Sequence, residues 1–504
     1  MQLTKSKIQL SFILSILVLI IASCSSNNNE SGDSSNQNKL SEPVYFDLDK
    51  IKERGSLIAV VDNSTTGYFI YRGRPMGYEY ELLTRLAKEL EVELKVELVS
   101  NMEKAFEMLN SGKADLMAYH LTITKERSQR VAFSVPHNNV RQVLVQRKPD
   151  NWRNLKLHQI DTSVIRNPID LGGKTVYTRK GSSFADRLNN LSEEIGQEID
   201  IVEVEGNVDT EGLIRQVARG EIEYTVADED VAMINRTYNP ILDIATDISF
   251  PQQIAWAMRK NAPVLKNTVD EWLTEMKRHP DFYVIYNKYF KSSKTQRLRA
   301  SSDFSSINQG RISPYDELII EGAKELEIDW LLLASIIFQE SKFDPEVESW
   351  AGAKGLMQLT NIVIEEYDVD DVFDPEDNIR AGVQHLAWLM DYWAGEFEST
   401  EEQIKFTLAA YNVGQGHVRD AMRLAEKYDE DSHDWEVIAK YLLLKSQSEY
   451  YNDEVVQFGY CRGTEPVNYI KQIMNRYEQY QLFFSDKERS VNDSTIIIEA
   501  ALVH

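Results

Sequence analysis

Along the first half of the chain, short apolar runs rich in β-branched residues alternate with stretches of helical period. "SLIAVVD" (56–62) and "ELKVELV" (93–99) read as strands, and "GYEYELLTRLAKELE" (77–91) between them sets Tyr80, Leu82, Leu83, Leu86, Ala87 and Leu90 at helical spacing. "MEKAFEMLNSGKADLMAY" (102–119) repeats the arrangement, with a helix ended by Ser111-Gly112 and a short buried strand from Asp115 to Tyr119. Alternation of this kind predicts an α/β domain with a mostly parallel sheet over residues 45–290. "KSSKTQRLRASSDFSSINQ" (291–309) has no periodic apolar face and reads as a linker, placed at 291–311. From Ile312 strand signals nearly vanish. Runs such as "PYDELIIEGAKELE", "WLLLASIIFQE", "NIRAGVQHLAWLMDYW", "EQIKFTLAAYNVG" and "VNYIKQIMNRYEQY" predict an all-α domain over 312–485, and the tail, 486–504, has no assignable role.

At the N-terminus Lys5 and Lys7 precede an apolar run, Ile8 to Ala22, that closes on Ile21-Ala22-Ser23-Cys24. A charged start, an apolar stretch and small residues before a cleavage point read as a secretory signal over 1–24. The run is shorter than the roughly 20 apolar residues needed to span a bilayer. Ala-Ser-Cys resembles a bacterial lipobox, which implies that Cys24 carries lipid and becomes the mature N-terminus. Ser25 to Ser41 is Ser, Asn, Asp and Gly with almost no apolar residue, so segment 25–44 is expected to tether the protein to a membrane. The expected location is the cell envelope, lipid-anchored to the outer membrane and facing the periplasm, with the leaflet left open. The second cysteine, Cys461, is expected to be a buried thiol, because acylation of Cys24 leaves it no intrachain disulfide partner.

Bulk composition narrows the classes further. A chain of 504 residues, 42% hydrophobic, is long enough for two large or three ordinary domains. Its formal net charge of -25 argues against a nucleic-acid partner, since phosphate binding needs a basic face and no stretch of the sequence offers a long one.

"GYFIYRGRPMGYEYELLTRLAKELEVEL" and "GKADLMAYHLTITKERSQRVAFSVP", with the run from Thr122 through Arg127 to Phe133-Ser134, resemble the periplasmic amino-acid-type solute-binding family. The resemblance covers about half the chain. It implies two lobes closing over a small solute, with "VRQVLVQRK" and "FPQQIAWAMRK" as the crossovers between them. It also implies that Arg127 clamps an α-carboxylate with its planar fork, that Thr122 adds a hydroxyl, and that Asp228 takes an α-amino group. Glu229 and Asp230 stand beside Asp228 as alternatives, surface pairing of Arg127 with Glu126 or Glu229 is a second possibility, and Tyr68 and Phe69 fit either ligand stacking or the core. The ligand implied is an amino acid or muropeptide, and fusion to a second domain suggests that its binding regulates that domain.

In "DWLLLASIIFQES" nearly every residue from Trp330 to Phe338 is apolar, so this helix is buried on most sides. Glu340 follows at its C-terminal end, where the helix dipole and desolvation both disfavour a negative charge. The pattern alone leaves two roles open: a solvated helix-end residue, or a carboxylic acid tuned for proton transfer near neutral pH.

Four further motifs bear on that choice. "ESKFDPEVESWAGAKGLMQL", "DPEDNIRAGVQHL", "AAYNVGQGHV" and "EPVNYIKQI", in this order, resemble the goose-lysozyme-like catalytic domain of lytic transglycosylases. The resemblance implies peptidoglycan glycan strands as substrate and non-hydrolytic cleavage of the β-1,4 bond between N-acetylmuramic acid and N-acetylglucosamine, leaving a 1,6-anhydro ring. Glu340 would be the only catalytic carboxyl, acid first and base second. Ser341 would fix the helix end, Ser349 would meet acetamido or hydroxyl groups, and Gly355, Met357 and Gln358 would line the cleft. Tyr411 and Asn412 match a pair that orients sugar and acid, and Tyr469 matches a tyrosine beside the acid. One departure is Ala351, where some relatives carry a second serine. Asp344 and Glu346 flank Pro345 and read as turn residues. His385, His417 and His433 lack ligand-like spacing, Ser341 lacks an adjacent base pattern, and no cofactor or metal is expected. A hydrolytic muramidase and a glycan-binding receptor without catalysis are the competing functions.

Overall fold

Residues 43–204, 208–292 and 311–501 are described by a computed structural model, with side chains as far as residue 484. The expected signal, the lipidated Cys24, and most of the expected tether and linker lie outside these residues.

The strand runs build two sheets. In chain order the strands are β1 (Ser56–Val61), β2 (Phe69–Tyr71), β3 (Arg74–Met76), β4 (Glu93–Leu98), β5 (Leu116–Met117), β6 (Ala132–Phe133) and β7 (Asn138–Val140). They continue as β8 (Gln142–Arg147), β9 (Thr175–Arg179), β10 (Asp200–Val204), β11 (Tyr224–Asp228), β12 (Leu242–Asp247), β13 (Gln252–Ile254) and β14 (Ala257–Met258). One sheet has the order β4-β1-β5-β14-β6 and the other β10-β9-β11-β8-β12. β1 runs parallel to β4 and β5, and β9 runs parallel to β10 and β11, as helical crossovers require.

The sheets are mixed rather than mostly parallel, and the crossovers explain why. β8 and β14 are the strands that enter each lobe from the other, and both pair antiparallel with their neighbours. Just before these entries β7 and β13 pair with each other, Asn138 opposite Ile254, to form a two-stranded hinge. The structure thus has the expected two lobes, with both expected crossover segments at the hinge.

Beyond residue 311 the chain is helical, and among the described residues its only β pairing is a pair of isolated bridges, Glu348 with Lys354 and Lys354 with Leu359. The apolar run forms the helix Trp330–Ser341, started by Asp329, whose side chain accepts from the Leu331 amide at 3.0 Å. Lys342, in the left-handed region at φ 57°, ends it. Helices Asp316–Glu325 and Thr464–Ala501 pack against it. The last of these passes through Ser485 without a break, so the expected tail continues a helix.

The two halves share a core. The β2–β3 hairpin presents Gly73 to the helical half, where Tyr480 donates its hydroxyl to the Gly73 carbonyl at 2.7 Å. A Cβ at Gly73 would lie 2.5 Å from the Phe338 ring and 2.7 Å from the Phe343 ring, and its φ of 70° also suits glycine. The hairpin therefore seats directly on the C-terminal end of the glutamate helix.

Candidate active site

Glu340 occupies the last turn of the Trp330–Ser341 helix, at the edge of a crevice of about 1040 Å³ between that helix end and the β2–β3 hairpin. Tyr71, Arg72 and Met76 line the crevice from the hairpin side, and Phe343 and Val347 from the helical side. Burial raises the Glu340 carboxyl to about 7, and the only opposing influence is the Tyr469 hydroxyl, which donates to Glu340 Oε1. Among the described residues no second carboxylate contributes to the shift. Asp344 is exposed and its Oδ1 accepts from the Glu346 amide at 3.1 Å, the turn role expected around Pro345.

Tyr469 itself is buried, and Tyr411 is close enough for the two hydroxyls and Glu340 to influence one another electrostatically. Tyr411 donates to the Met357 carbonyl at 2.7 Å. Its ring meets His385 at 5.5 Å, and His385 stacks on Trp388 at 5.8 Å with an interplanar angle of 9°. Burial lowers the His385 pKa, favouring a neutral imidazole. Asn412 is exposed beside this group.

The loop after Glu340 is held partly by bonds within itself. Ser341 donates its Oγ back to the Ile337 carbonyl at 3.2 Å and is buried, which secures the helix end. Ser349 Oγ accepts from the Ala353 amide at 3.0 Å. Gln358, in the left-handed region at φ 51°, donates its side-chain amide to the carbonyls of Val347 and Gly355 at 3.1 and 3.0 Å. Gly355, at φ 76°, is close to the Asn378 side chain and the Val372 carbonyl, where no Cβ would fit. Met357 is fully buried with its thioether against Gly382, so its side chain belongs to the core and its backbone carbonyl is what meets Tyr411.

Asn378 is the residue that sequence reasoning missed. Fully buried, its Oδ1 accepts from the Met357 amide at 2.8 Å, and its Nδ2 donates to the carbonyls of Val372 and Lys354 at 2.7 and 3.2 Å. A polar residue on the inward stripe of "DNIRAGVQHL" was the available signal, because a buried carboxamide must find backbone partners.

A second site lies between the two lobes. Arg127, Thr122 and Asp228 line one cavity there, as expected. The Arg127 guanidinium is buried and donates to the Thr122 and Gly181 carbonyls at 3.0 and 2.9 Å, with no ion-paired carboxylate among the described residues. Asp228 is raised to about 7, chiefly by burial, and its Oδ1 has no hydrogen-bond partner. Asp230 meets Asn138 Nδ2 at 2.9 Å and His120 at 3.2 Å, and of the three acids Asp228 is the one that lines this cavity. Tyr68 and Phe69 are core residues, packed edge-on against Tyr80 and Tyr289.

Arg179, Asp62 and Glu211 also line this cavity and were not anticipated. Arg179 ends β9 and Asp62 directly follows β1, as Asp228 ends β11; the C-terminal edge of the parallel strands was the overlooked signal.

Comparison with known proteins assigns the same two parts. Residues 57–292 match the bacterial extracellular solute-binding proteins, family 3, and residues 317–433 match the transglycosylase SLT domain. An arginine-binding protein variant from T. maritima aligns over 49% of this chain and 99% of its own, at 27% identity and a TM-score of 0.41. The two family matches make the architecture a solute-binding domain fused to a lysozyme-like transglycosylase domain.

Two curated proteins align across both parts. The membrane-bound lytic murein transglycosylase F of Desulfosudis oleivorans is 36% identical over 85% of this chain and 90% of its own. Its counterpart F 1 from Alkalilimnicola ehrlichii is 32% identical over 89% of this chain and 88% of its own. The chain belongs to the membrane-bound lytic murein transglycosylase F family and is by that membership a lytic transglycosylase.

Proposed function

We propose that the protein cleaves the β-1,4 bond between N-acetylmuramic acid and N-acetylglucosamine in peptidoglycan without water, leaving 1,6-anhydromuramyl ends. The observation that carries this reading is a single carboxyl, Glu340, raised to about 7 by burial and hydrogen-bonded by Tyr469, with no second carboxylate among the described residues acting on it. Ordinary glycosidases divide acid and nucleophile or base between two carboxyl groups.

In the proposed reaction Glu340 gives its proton to the glycosidic oxygen as the bond to muramic C1 breaks. The substrate's N-acetyl oxygen stabilises the positive C1, and the C6 hydroxyl oxygen then bonds to C1 while its proton returns to the Glu340 carboxylate. The products together have the composition of the substrate. A pKa near neutrality suits a group that must both give and take a proton. Tyr469 steadies the carboxylate between the two steps, Tyr411 and Asn412 orient sugar and acid, and the loop with Ser349, Gly355 and Gln358 forms one wall of the glycan cleft, with Ser341 fixing the helix end and Met357, buried in the core, holding Tyr411 through its carbonyl. Replacing Glu340 by Gln should lower release of soluble fragments from purified sacculi by ~100- to 10,000-fold while sacculus binding persists. Release undiminished by that change removes Glu340 from the mechanism.

The interlobe cavity is proposed to bind an amino acid or muropeptide through Arg127, Thr122 and Asp228 and to regulate cleavage. In support, Thr65, on the loop between β1 and β2, bonds Glu211 of the other lobe, and the hairpin that follows seats on the glutamate helix. Lobe movement would therefore reach the helix whose last turn carries Glu340. Sacculus digestion unchanged by saturating ligand would remove the regulatory role.

We place the protein in the cell envelope, anchored by lipid on Cys24 to the outer membrane. The names of its relatives support membrane association, and among the described residues no helix is long and apolar enough to cross a membrane. The solute-binding domain is proposed to span 45–290 and the transglycosylase domain 312–485, joined by a linker over 291–311.

A further inference from the structure

Another crevice, of about 560 Å³, adjoins the one at whose edge Glu340 stands. Arg74, Pro75 and Lys342 line both, so the two meet where the β2–β3 hairpin seats on the end of the glutamate helix. One side of it is a single face of the helix Thr464–Ala501, on which Gln472, Asn475, Arg476 and Gln479 recur at helical spacing. Pro75, Tyr80 and Phe338 give it an apolar wall.

The charge of this lining is all of one sign. Arg74, Lys342 and Arg476 belong to it and no carboxylate does, and among the described residues none of the three has an ion-pair partner. Glu93 Oε1 meets Asn475 Nδ2 at 3.5 Å but pairs with none of them. Acids outnumber bases in this chain by 80 to 55, so three unpaired cations in one place are the reverse of what its composition predicts. Arg476 is held in position: its Nη1 donates to the Ser335 carbonyl at 3.4 Å and to Gln339 Oε1 at 3.2 Å, and its guanidinium lies over the Phe338 ring at 4.3 Å. Burial lowers its pKa, Tyr480 opposes that, and the nearby charge of Arg74 lowers it further, a repulsion that an anion between them would relieve.

The substrate of the proposed reaction carries such an anion. Each muramic acid bears, through the lactyl group on C3, a short peptide with free carboxylates, and the bond to be cut is at C1 of that same sugar. The peptide therefore starts within one sugar ring of the atoms that Glu340 serves, and four extended residues reach about 13 Å further. A chain of net charge -25 repels an anionic polymer as a whole, so the carboxylates of that polymer need a local cationic partner. Guanidinium forks match carboxylates, and the side-chain amides of Gln472, Asn475 and Gln479 match the donors and acceptors of a peptide backbone.

We infer that this crevice is a subsite for the carboxylate-bearing peptide on the glycan strand being cut, with Arg74, Lys342 and Arg476 as the residues that meet its carboxylates. The inference rests on the proposed cleavage of peptidoglycan at Glu340. It gives the β2–β3 hairpin a part in substrate recognition, so that the strand is read by residues from both halves of the chain.

Soluble, uncrosslinked glycan strands with their peptides, and the same strands stripped of peptide by an amidase, test it on the full chain. The wild-type chain should cleave the peptide-bearing strands with a kcat/KM ~10- to 100-fold higher, the equivalent of one or two charge-assisted hydrogen bonds. Arg74→Gln and, separately, Lys342→Gln should each raise KM for peptide-bearing strands ~10-fold at unchanged kcat, the mark of binding lost equally before and during the reaction. Both variants should cleave stripped strands as the wild type does, which also shows that they fold. Equal kcat/KM of the wild type on the two substrates, or variants that slow both alike, would overturn the peptide subsite while leaving cleavage at Glu340 standing. Cleavage of neither substrate by the wild-type chain would overturn the proposed reaction and this inference with it.

Discussion

At the scale of single residues, the acid with a pKa near 7 carries the most consequences. A general acid must be protonated, so kcat/KM on glycan should fall as pH rises through about 7. The Tyr469 hydroxyl favours the carboxylate, so Tyr469→Phe should move that limb to higher pH as well as lowering kcat; a limb that stays in place would dissociate Tyr469 from the acid. Stability follows the same linkage. A carboxyl raised from 4.5 to about 7 on folding costs nothing below the lower value and progressively destabilises the fold as pH rises through the upper one. Glu340→Gln should therefore raise Tm by a few degrees at about pH 8 and leave it unchanged at about pH 4, as calorimetry would show. Glu340 was legible in the sequence because an apolar run ends on it and its companion motifs follow in order. Asn378 was not, because nothing in a helical pattern says which loop a buried amide will reach.

At the scale of elements, the 347–359 loop depends on Asn378 more than on its own packing. Asn378→Ala removes three backbone partners at once and should cost on the order of 2–4 kcal/mol, read as a loss in denaturant midpoint at unchanged slope. It should also lower kcat, since the Met357 carbonyl that holds Tyr411 moves with the loop. A stable variant with full activity would show that the loop holds itself. The alternation of strand and helix was readable through period 2 and period 3.6, whereas the two crossovers were legible only through the resemblance to the solute-binding family. The antiparallel entry of β8 and β14 was not, because the direction of a strand is a property of topology rather than of its residues. Arg179, Asp62 and Glu211 escaped for a related reason: residues far apart in sequence meet only once two lobes face each other across a hinge.

At the scale of the whole molecule, the contact between hairpin and glutamate helix links the two sites. Gly73→Val would drive a branched side chain into the Phe338 and Phe343 rings, an overpacking cost on the order of 1–3 kcal/mol that falls on the docking contact. Hydrogen exchange should then speed up in β2–β3 and at the end of the Trp330–Ser341 helix, while the β8–β12 sheet keeps its protection. Uniform loss of protection would mean that the contact serves the global fold and not the link between sites. This docking had no sequence signal, since a glycine at a hairpin tip is explained by the turn alone.

Cleavage without water remains the claim on which the rest depends. Digestion of purified sacculi in oxygen-18 water, with the soluble fragments read by mass spectrometry, tests it most directly. The account predicts 1,6-anhydromuramyl ends free of the heavy isotope, formed by the wild-type chain and absent with Glu340→Gln. Reducing muramyl ends carrying oxygen-18 would contradict it and make the protein a hydrolase.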